Sequence, residues 1–430
     1  MTIWDQENEC MHRDDIEQLQ LERLQATLNR VYKNVGHYKQ AFSQIDFMPE
    51  DLQSLADFGK LPFTSRQDLR DDYPYGMFAV TLREVVRLHA PSLGFEKPLV
   101  MGFTQNDLQS WIQLMARCLA GLGVTKDDVL QISMPMWKVL SSFGIQRGAE
   151  LIGASVLPLS IKNLPNQVKI MRDFRTTVLL TTPGFALGIG NAMNTLGINP
   201  IDMWLKQGII GFEPWSETTR EAIETGLHIA ATDIYSLTEV FGPGVAWECP
   251  EKKGLHISED HFLPEIIDPV TLEPLPPGAT GELVLTTLTK EAFPLVRFRT
   301  GDITSIDYAP CPCGRTHARI ARISRRSDDV FVMNGTCVIP DRIGMIIIRL
   351  NNGIEPLFQL QVTREKDHDK LLILIEVTDA MFFDEVKKQL LMVDDIQTAI
   401  SEFLGWNVQV KFVEQGSIDR KKQVVDHRSL

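Results

Sequence analysis

The middle of the chain alternates between segments with strand patterns and segments with helical patterns. Apolar runs at 156–159 and 178–182 predict buried strands, while 148–152 and 167–174 have helical patterns. Strands that alternate with helices build a parallel or mixed sheet whose faces are covered by helices. The alternation therefore predicts an α/β fold. Ligands of such sheets bind at the carboxyl ends of the strands, so we expect the functional site at that edge.

The chain is long enough for more than one structural unit, because 430 residues exceed what one hydrophobic core usually holds. β-Hairpin patterns begin at Gly281, and the order helix, strand, strand, helix, strand follows Pro340. We predict a large N-terminal domain over 1–326, with mixed sheets flanked by helices plus a β-rich subdomain. A small, mobile α+β C-terminal domain is predicted over 327–430, beyond a polar hinge.

Charge and hydropathy argue against several classes of partner. The net charge of -13 at pH 7 opposes binding to the polyanionic backbone of nucleic acids, and no basic run offsets it. The first residues lack the basic and apolar regions of a signal peptide, and no apolar run has the length of a membrane span. We expect a cytoplasmic protein that binds neither nucleic acid nor membrane. A homodimer is an open alternative to a monomer.

Three polar segments, at 233–239, 297–302 and 326–329, occur in an order that suggests nucleotide chemistry. Such chemistry needs one carboxylate to hold Mg²⁺ beside the ATP phosphates, a second carboxylate for the ribose hydroxyls, and an arginine near the developing charge. Glu239, Asp302 and Arg326 fit these roles. Each segment alone would read as an ordinary loop with a solvated acid, but together they resemble the motifs of acyl-adenylate-forming ligases.

Over nearly its whole length the chain resembles phenylacetate-coenzyme A ligases, within the ANL superfamily of adenylate-forming enzymes. The resemblance implies a two-step reaction in which a carboxylic acid is adenylated by ATP and then transferred to coenzyme A. It also implies that the C-terminal domain rotates about Asp328, and that Gly335 lets the pantetheine approach the backbone. The segments that carry the resemblance are 3–5, 19–24, 61–64, 213–215, 233–235, 254–257, 259–262, 288–292 and 313–317.

The same resemblance assigns roles to single residues. Glu239 is expected to hold Mg²⁺ and, with Thr238 and Lys421, to form the catalytic set. Tyr235 is expected to stack on adenine, with ordinary core packing as the alternative, and Asp302 to accept hydrogen bonds from the ribose. The other cofactor-binding positions that the resemblance implies are Ser92, Gly94, Lys97, Gly211, Glu213, Pro214, Asp233, Arg326 and Gly335.

Three segments depart from the family pattern. Where the family has Ser-Ser-Gly-Thr-Thr-Gly-Lys-Pro, residues 91–98 lack both threonines, and Glu96 replaces a glycine. Donors of this loop hold the phosphates, so we expect their binding to weaken by about a few kcal/mol. The C-terminal lysine segment is shortened, with Lys421 as the best match and Arg420 as the next. Residues 161–162 replace a glycine pair of the acyl pocket, which leaves the identity of the acid open.

Three cysteines and one histidine form a candidate structural zinc site. Cys249, His256, Cys311 and Cys313 offer three thiolates and an imidazole, the donors that tetrahedral zinc prefers. The spacing of the last two cysteines is tighter than the usual Cys-x-x-Cys, but these positions match cysteines and a histidine found in related ligases. Buried apolar cysteines are the alternative. The alternative imidazoles are His261 and His317.

The leading hypothesis is an AMP-forming acid-thiol ligase that acts on a small aryl or acyl carboxylic acid, with Mg²⁺, ATP and coenzyme A, and that passes through an acyl-adenylate. Glu239, Asp302 and Arg326 favour it. One alternative is a catalytically degenerate relative that binds a nucleotide or acyl-coenzyme A and serves as a regulatory protein, which the altered loop at 91–98 favours. Another is an adenylating enzyme that transfers its acyl group to a different acceptor.

Overall fold

A computed structural model of the chain divides by its contacts into two compact units. The first contains Met1–Phe212 and Glu217–Arg325, and the second contains Glu213–Ser216 and Arg326–Leu430. The structure describes residues 2–90, 99–134, 142–160, 163–323, 325–327, 331–333, 336–338, 340–351, 356–365, 368–377, 386–419 and 423–428.

The described helices are distributed over both units. Those of the first unit are α1 (Gln6–Glu9), α2 (Arg13–Asn34), α3 (Gly36–Gln44), α4 (Arg66–Asp71), α5 (Gln105–Gly121), α6 (Phe143–Ile152), α7 (Leu164–Asp173), α8 (Pro183–Thr195) and α9 (Glu217–Leu227). Those of the second unit are α10 (Pro340–Leu350) and α11 (Val386–Leu404). Within the described ranges, no helix combines the length and the apolar character needed to cross a membrane.

The strands of the first unit are β1 (Arg87–His89), β2 (Met101–Phe103), β3 (Val129–Met134), β4 (Ser155–Ser160), β5 (Val178–Thr181), β6 (Gln207–Gly211), β7 (Ala230–Leu237), β8 (Gly242–Glu248), β9 (Leu255–Ile257), β10 (Phe262–Ile267), β11 (Gly281–Thr287), β12 (Phe298–Thr304), β13 (Ile306–Asp307) and β14 (Arg319–Ile320). A short strand, β15 (Arg325–Arg326), follows at the boundary. The second unit has β16 (Phe331–Met333), β17 (Thr336–Val338), β18 (Phe358–Glu365), β19 (His368–Glu376), β20 (Gln409–Val413) and β21 (Val424–Asp426).

The largest sheet confirms the predicted α/β class. Its strand order is β13-β14-β9-β8-β7-β6-β5-β3-β4. The strands from β3 to β7 are parallel, and β7, β8, β9, β14 and β13 pair in antiparallel fashion. β5 is buried at every residue, as is typical of a parallel strand covered on both faces. α6 and α7 occupy the segments that had helical patterns.

A second, antiparallel sheet forms the predicted β-rich region. β11 pairs with β10 on one side and with β12 on the other. A register shift between Glu282 and Val284 marks a bulge in the pairing of β11 with β12. Both β11 and β12 are largely buried. This sheet carries Asp302 in β12, whereas Tyr235 and Asp233 lie in β7 of the large sheet.

The second unit has its own sheet and core. The sheet order is β20-β19-β18-β21, and apolar side chains such as Ile373, Ile396 and Ile400 are fully buried. The predicted order of helix, strand, strand, helix and strand matches α10, β18, β19, α11 and β20. The sequence did not predict β21, which pairs in parallel with β18.

Buried ion pairs attach the N-terminal segment to distant parts of the first unit. Glu9, at the end of α1, pairs with Arg315, and each side chain is 1% exposed. Arg117 of α5 joins Asp5, at 2.9 Å, to Asp260, at 2.7 Å. Pairing satisfies charges that would otherwise be buried at a high cost. The ends of the first unit are therefore held together by specific electrostatic contacts.

Candidate active site

Glu239, the predicted magnesium ligand, lies in the turn that follows the carboxyl end of β7. This position agrees with the edge at which ligands of parallel sheets bind. The Glu239 side chain is buried, and its Oε1 accepts a hydrogen bond of 2.7 Å from Arg66 Nε. Arg66 also donates from Nη1 to the carbonyl oxygen of Thr300 at 2.8 Å. Thr238 is in the same turn and is partly exposed.

The sequence analysis did not identify Arg66. Ser65 and Asp68 form a capping box, which fixes the start of α4 and puts Arg66 in its first turn. The spacing of Ser65 and Asp68 could have located this helix end. It could not have shown that Arg66 meets a carboxylate 173 residues away.

Tyr235 and Asp302, both predicted to bind the nucleotide, are in contact. The Tyr235 hydroxyl donates to Asp302 Oδ2 at 2.5 Å. The two residues come from different sheets, and both side chains are buried. The ring of Tyr235 belongs to the hydrophobic core of the first unit, as the core-packing alternative expects. Its hydroxyl, in addition, forms the hydrogen bond with the Asp302 carboxylate, and the role in nucleotide binding stays a prediction.

Gly211 lies at the carboxyl end of β6, beside β7. A Cβ atom added there would lie 2.3 Å from the carbonyl oxygen of Ile234. No L side chain fits so close to a backbone oxygen, so glycine is required for this close approach. The parallel pairing of Gly211 with Ile234 brings this position next to the strand that carries Tyr235 and Asp233.

Asp233 is held by a buried polar network. Its Oδ2 accepts from Arg322 Nε at 2.8 Å, and its backbone N–H donates to Glu248 Oε2 at 3.0 Å. Arg220 forms two hydrogen bonds with the Glu248 carboxylate, at 2.7 and 3.0 Å. Charge-assisted, two-point contacts of this kind fix geometry as well as adding energy. Arg322 and Arg220 were not identified from the sequence.

Several predicted site residues cannot be placed in this region of the first unit. The second unit contains Glu213, Pro214 and Arg326. Outside the described residues lie Ser92, Gly94, Lys97, Asp328, Gly335 and Lys421. The roles assigned to all nine remain predictions.

The structure brings the four predicted zinc ligands together. The donor atoms of Cys249, His256, Cys311 and Cys313 all lie within 4.8 Å of one another. Two thiolates bound to one tetrahedral zinc ion at about 2.3 Å lie about 3.8 Å apart. The observed separation of Cys249 Sγ and Cys311 Sγ is 3.7 Å, and Cys313 Sγ lies 3.4 Å from His256 Nε2. The arrangement fits one zinc ion.

Strand pairing explains why His256 is the imidazole of this cluster. β9 pairs with β8, which ends just before Cys249, and with β14, which follows the loop that carries the other two cysteines. Neither of the alternative imidazoles, His261 and His317, belongs to the cluster. His261 Nδ1 lies 2.7 Å from Thr289 Oγ1, and His317 is not among the grouped donors.

The electrostatics of the cluster favour a thiolate at Cys313. A hydrogen bond with Cys249, and then one with His256, lowers the pKa of the Cys313 thiol. Arg315 Nη1 lies 3.7 Å from Cys313 Sγ and adds a positive charge. Thiolates are the form that binds zinc. His256 Nδ1 is buried and has no hydrogen-bond partner among the described residues.

Comparisons with solved structures agree with this fold. The structure of 2-hydroxyisobutyryl-CoA ligase in complex with 2-HIB-AMP and CoA aligns with a TM-score of 0.90 over 98% of this chain and 92% of that one, at 23% sequence identity. The amide bond synthetase McbA from Marinactinospora thermotolerans aligns with a TM-score of 0.57 over 80% of this chain and 68% of its own, at 14% identity. At these identities the likeness concerns the fold.

Sequence comparisons show a closer relationship. The model of the AMP-binding enzyme C-terminal domain matches residues 335–428. The phenylacetate-coenzyme A ligase of Pseudomonas putida is 39% identical over 96% of this chain and 94% of its own length. The corresponding enzyme of Aromatoleum evansii is 40% identical over 97% and 95%, and that of Escherichia coli is 37% identical over 97% and 96%. The chain therefore belongs to the phenylacetate-coenzyme A ligase family.

Proposed function

We propose that the protein is an ATP-dependent acyl- or aryl-coenzyme A ligase. In the first step the carboxylate of the acid attacks the α-phosphate of ATP, which forms an acyl-adenylate and releases pyrophosphate. In the second step the thiol of coenzyme A attacks the acyl carbon, which forms a thioester and releases AMP. The contact between Tyr235 and Asp302 carries the proposal, because it joins two residues, from distant segments of the chain, that the family resemblance assigns to the nucleotide.

Glu239 is the proposed magnesium ligand. Its carboxylate is buried and is held by Arg66, so its position is fixed before substrate binds. A carboxylate oxygen is a donor that Mg²⁺ prefers, and the bound ion would offset negative charge on the phosphates. Thr238 precedes Glu239 in the same turn and is proposed to contact the phosphates as part of the same catalytic set.

The nucleoside is proposed to bind beside the carboxyl ends of β6 and β7. Asp302 would accept hydrogen bonds from the ribose hydroxyls while Tyr235 holds its carboxylate. Gly211 would let the adenine approach the backbone. Asp233, which is held by Arg322, would lie at the edge of the same nucleotide site. Further contacts with the nucleotide or with coenzyme A are proposed for Ser92, Gly94, Lys97, Glu213, Pro214, Arg326 and Gly335.

The C-terminal residues are proposed to complete each half-reaction. Lys421 would contact the reacting carboxylate, and Asp328 would be the hinge between a domain over 1–326 and a domain over 327–430. One cleft could then serve both steps. The family match at 335–428 supports a distinct C-terminal domain.

Zinc is proposed to bind Cys249, His256, Cys311 and Cys313 as a structural ion. The four donors leave no open position, so the ion would cross-link the loops that they occupy rather than take part in catalysis. The donor set and the distances among the four atoms support this proposal. A cytoplasmic location and a homodimer remain predictions.

Calorimetric titration with Mg-ATP, followed by a screen for pyrophosphate release, tests the function. The screen would use phenylacetate and a panel of aryl and short acyl acids. We expect micromolar binding that is lost in Asp302→Ala, and release that depends on one class of acid. Binding of AMP or acyl-coenzyme A without any release would instead support the degenerate binding protein, which the replacement at Glu96 favours. Release without coenzyme A consumption would support another acyl acceptor.

A further inference from the structure

Lys290 is a fully buried lysine with no assigned role. It lies between β11 and β12, and its residue exposure is 2%. Its Nζ atom has no hydrogen-bond partner among the described residues. Instead, Nζ lies 3.1 Å from the ring centroid of Phe103 and 4.4 Å from that of Phe241. An interior ammonium group without a hydrogen bond is costly, so a compensating interaction is expected. Two aromatic faces provide one.

The backbone next to Lys290 is fixed from α5. Asp107 Oδ1 accepts from the N–H of Glu291 at 2.7 Å, and Asp107 Oδ2 accepts from the N–H of Ala292 at 3.0 Å. Asp107 is itself held in the capping box of α5 with Thr104. The lysine therefore extends from a rigid anchor, and its position is set by the fold.

Phe241 connects this lysine to the candidate active site. It is two residues beyond Glu239, in the turn that joins β7 to β8. The ring of Phe103 stacks on Trp111 with centroids 5.4 Å apart, so Lys290 and Trp111 both contact this ring. Trp111 Nε1 donates to the carbonyl oxygen of Pro243 at 3.0 Å. Lys290 thus contacts the turn at Phe241, and Trp111 contacts the start of β8 at Pro243.

Charged groups around this aromatic group come from several elements. Asp107 on α5 favours the charged lysine. On β1, His89 lies 4.9 Å from the Phe103 ring, and Arg87 stacks on Phe143 at 3.8 Å. The carboxylate of Glu291, next to Lys290 in the chain, accepts from Thr104 Oγ1 and from Asn106, and that of Glu239 accepts from Arg66.

Burial determines which of these groups titrate near neutral pH. It lowers the pKa of Lys290 to about 7, with Asp107 opposing the shift. Burial, with Arg87 and Lys290 adding repulsion, lowers the pKa of His89 to about 4, so the imidazole is neutral at pH 7. Of Lys290 and His89, the lysine is therefore the group whose charge changes near neutral pH.

We propose that Lys290 is a positioning residue for Glu239: its ammonium group, held between Phe103 and Phe241, fixes the turn in which Glu239 meets the magnesium nucleotide. The inference rests on the proposed ligase function. When Lys290 loses its proton, the attraction to both rings disappears and the turn relaxes. Binding of Mg-ATP should then weaken as pH rises through the pKa of the lysine, while the chemistry of bound substrate changes less.

Three variants test this role. Lys290→Met keeps the length of the side chain but removes the charge, and Lys290→Arg keeps the charge at all working pH values. Lys60→Met is the matched control, since Lys60 is a surface lysine whose side chain is 69% exposed and pairs with Asp57. KM for Mg-ATP and kcat for pyrophosphate release would be measured from about pH 6 to about pH 9.

We expect KM for Mg-ATP to rise at least about tenfold with pH in the wild type and in Lys60→Met. A rise of this size corresponds to the free energy lost with a desolvated cation–π contact. Lys290→Met should have the high KM at every pH, and Lys290→Arg should have the low KM at every pH, with kcat affected less in both. If Lys290→Met does not fold, Lys290→Arg decides the question.

A wild-type pH profile in both Lys290 variants would overturn the role of Lys290 and leave the ligase function intact. A uniform loss of kcat in Lys290→Arg with an unchanged profile would also overturn it, since that is the result of a purely structural role. Failure of the wild type to bind Mg-ATP at any pH would overturn the proposed function, and this inference with it.

Discussion

Replacing Tyr235 by phenylalanine should weaken nucleotide binding without unpacking the core. The variant keeps the ring, which is buried in the core of the first unit, and removes only the hydroxyl that donates to Asp302 at 2.5 Å. A hydrogen bond to a charged group contributes about 1.5–3 kcal/mol. If the hydroxyl orients Asp302 for the ribose, that energy should appear in the dissociation constant of ATP, as a loss of about 10-fold to about 150-fold. Calorimetric titration measures it directly.

Tyr38→Phe is the matched control for this experiment. Tyr38 is also a buried tyrosine, and its hydroxyl lies 3.1 Å from Thr64 Oγ1 and accepts from the N–H of Val296 at 3.0 Å. This variant should lose thermal stability to a similar degree while binding ATP as the wild type does. Equal dissociation constants in Tyr235→Phe and the wild type would refute the role of Tyr235. Equal weakening in both variants would mean that general destabilisation causes the effect.

Three further variants test the metal ligands and the close packing of the sheet. Cys313→Ser should reduce the zinc content from about one ion per chain and lower the melting temperature, as metal analysis and thermal unfolding would show; an unchanged content would exclude the site. Gly211→Ala should lower both stability and activity because its Cβ would lie 2.3 Å from the carbonyl oxygen of Ile234, whereas Gly226→Ala, with no neighbour within 4 Å, should be tolerated. Glu239→Gln should reduce magnesium-dependent pyrophosphate release by about 100-fold or more, and full activity in that variant would contradict the assignment of the ligand.

The sequence predicted those elements whose signal is local. The apolar run at 178–182 predicted β5 because a parallel strand covered on both faces is apolar throughout. The strand at Val424–Asp426 was missed because it is short and exists only through its pairing with β18, far away in the chain. Local patterns do not encode such non-local pairing.

The candidate site shows the same limit at the level of side chains. Sequence patterns indicated Tyr235, Asp302 and Glu239 as separate residues, each from its own segment. They did not indicate that Tyr235 donates to Asp302, or that Arg66 binds Glu239, since these contacts join residues 67 and 173 positions apart. Such long-range contacts depend on how separate elements of the fold pack together.

The zinc ligands illustrate how topology resolves an ambiguity that spacing leaves open. His256 and His261 lie close in the chain to Cys249, and His317 lies close to Cys313, so spacing alone does not choose among them. His256 is selected because the pairing of β9 with β8 and β14 puts it beside both cysteine segments. The sequence therefore identified the possible ligand residues, and the strand pairing determined which of them come together.

The contact between Glu9 and Arg315 constrains the order in which the chain can complete its fold during synthesis. Arg315 is made 306 residues after Glu9. At about 5–20 residues per second, Glu9 waits for about 15–60 s before its partner exists. α1 has 4 residues and is too short to be stable alone. The segment that contains Glu9 is therefore expected to dock only after Arg315 has been made, and nascent chains halted before Arg315 should expose it to proteases.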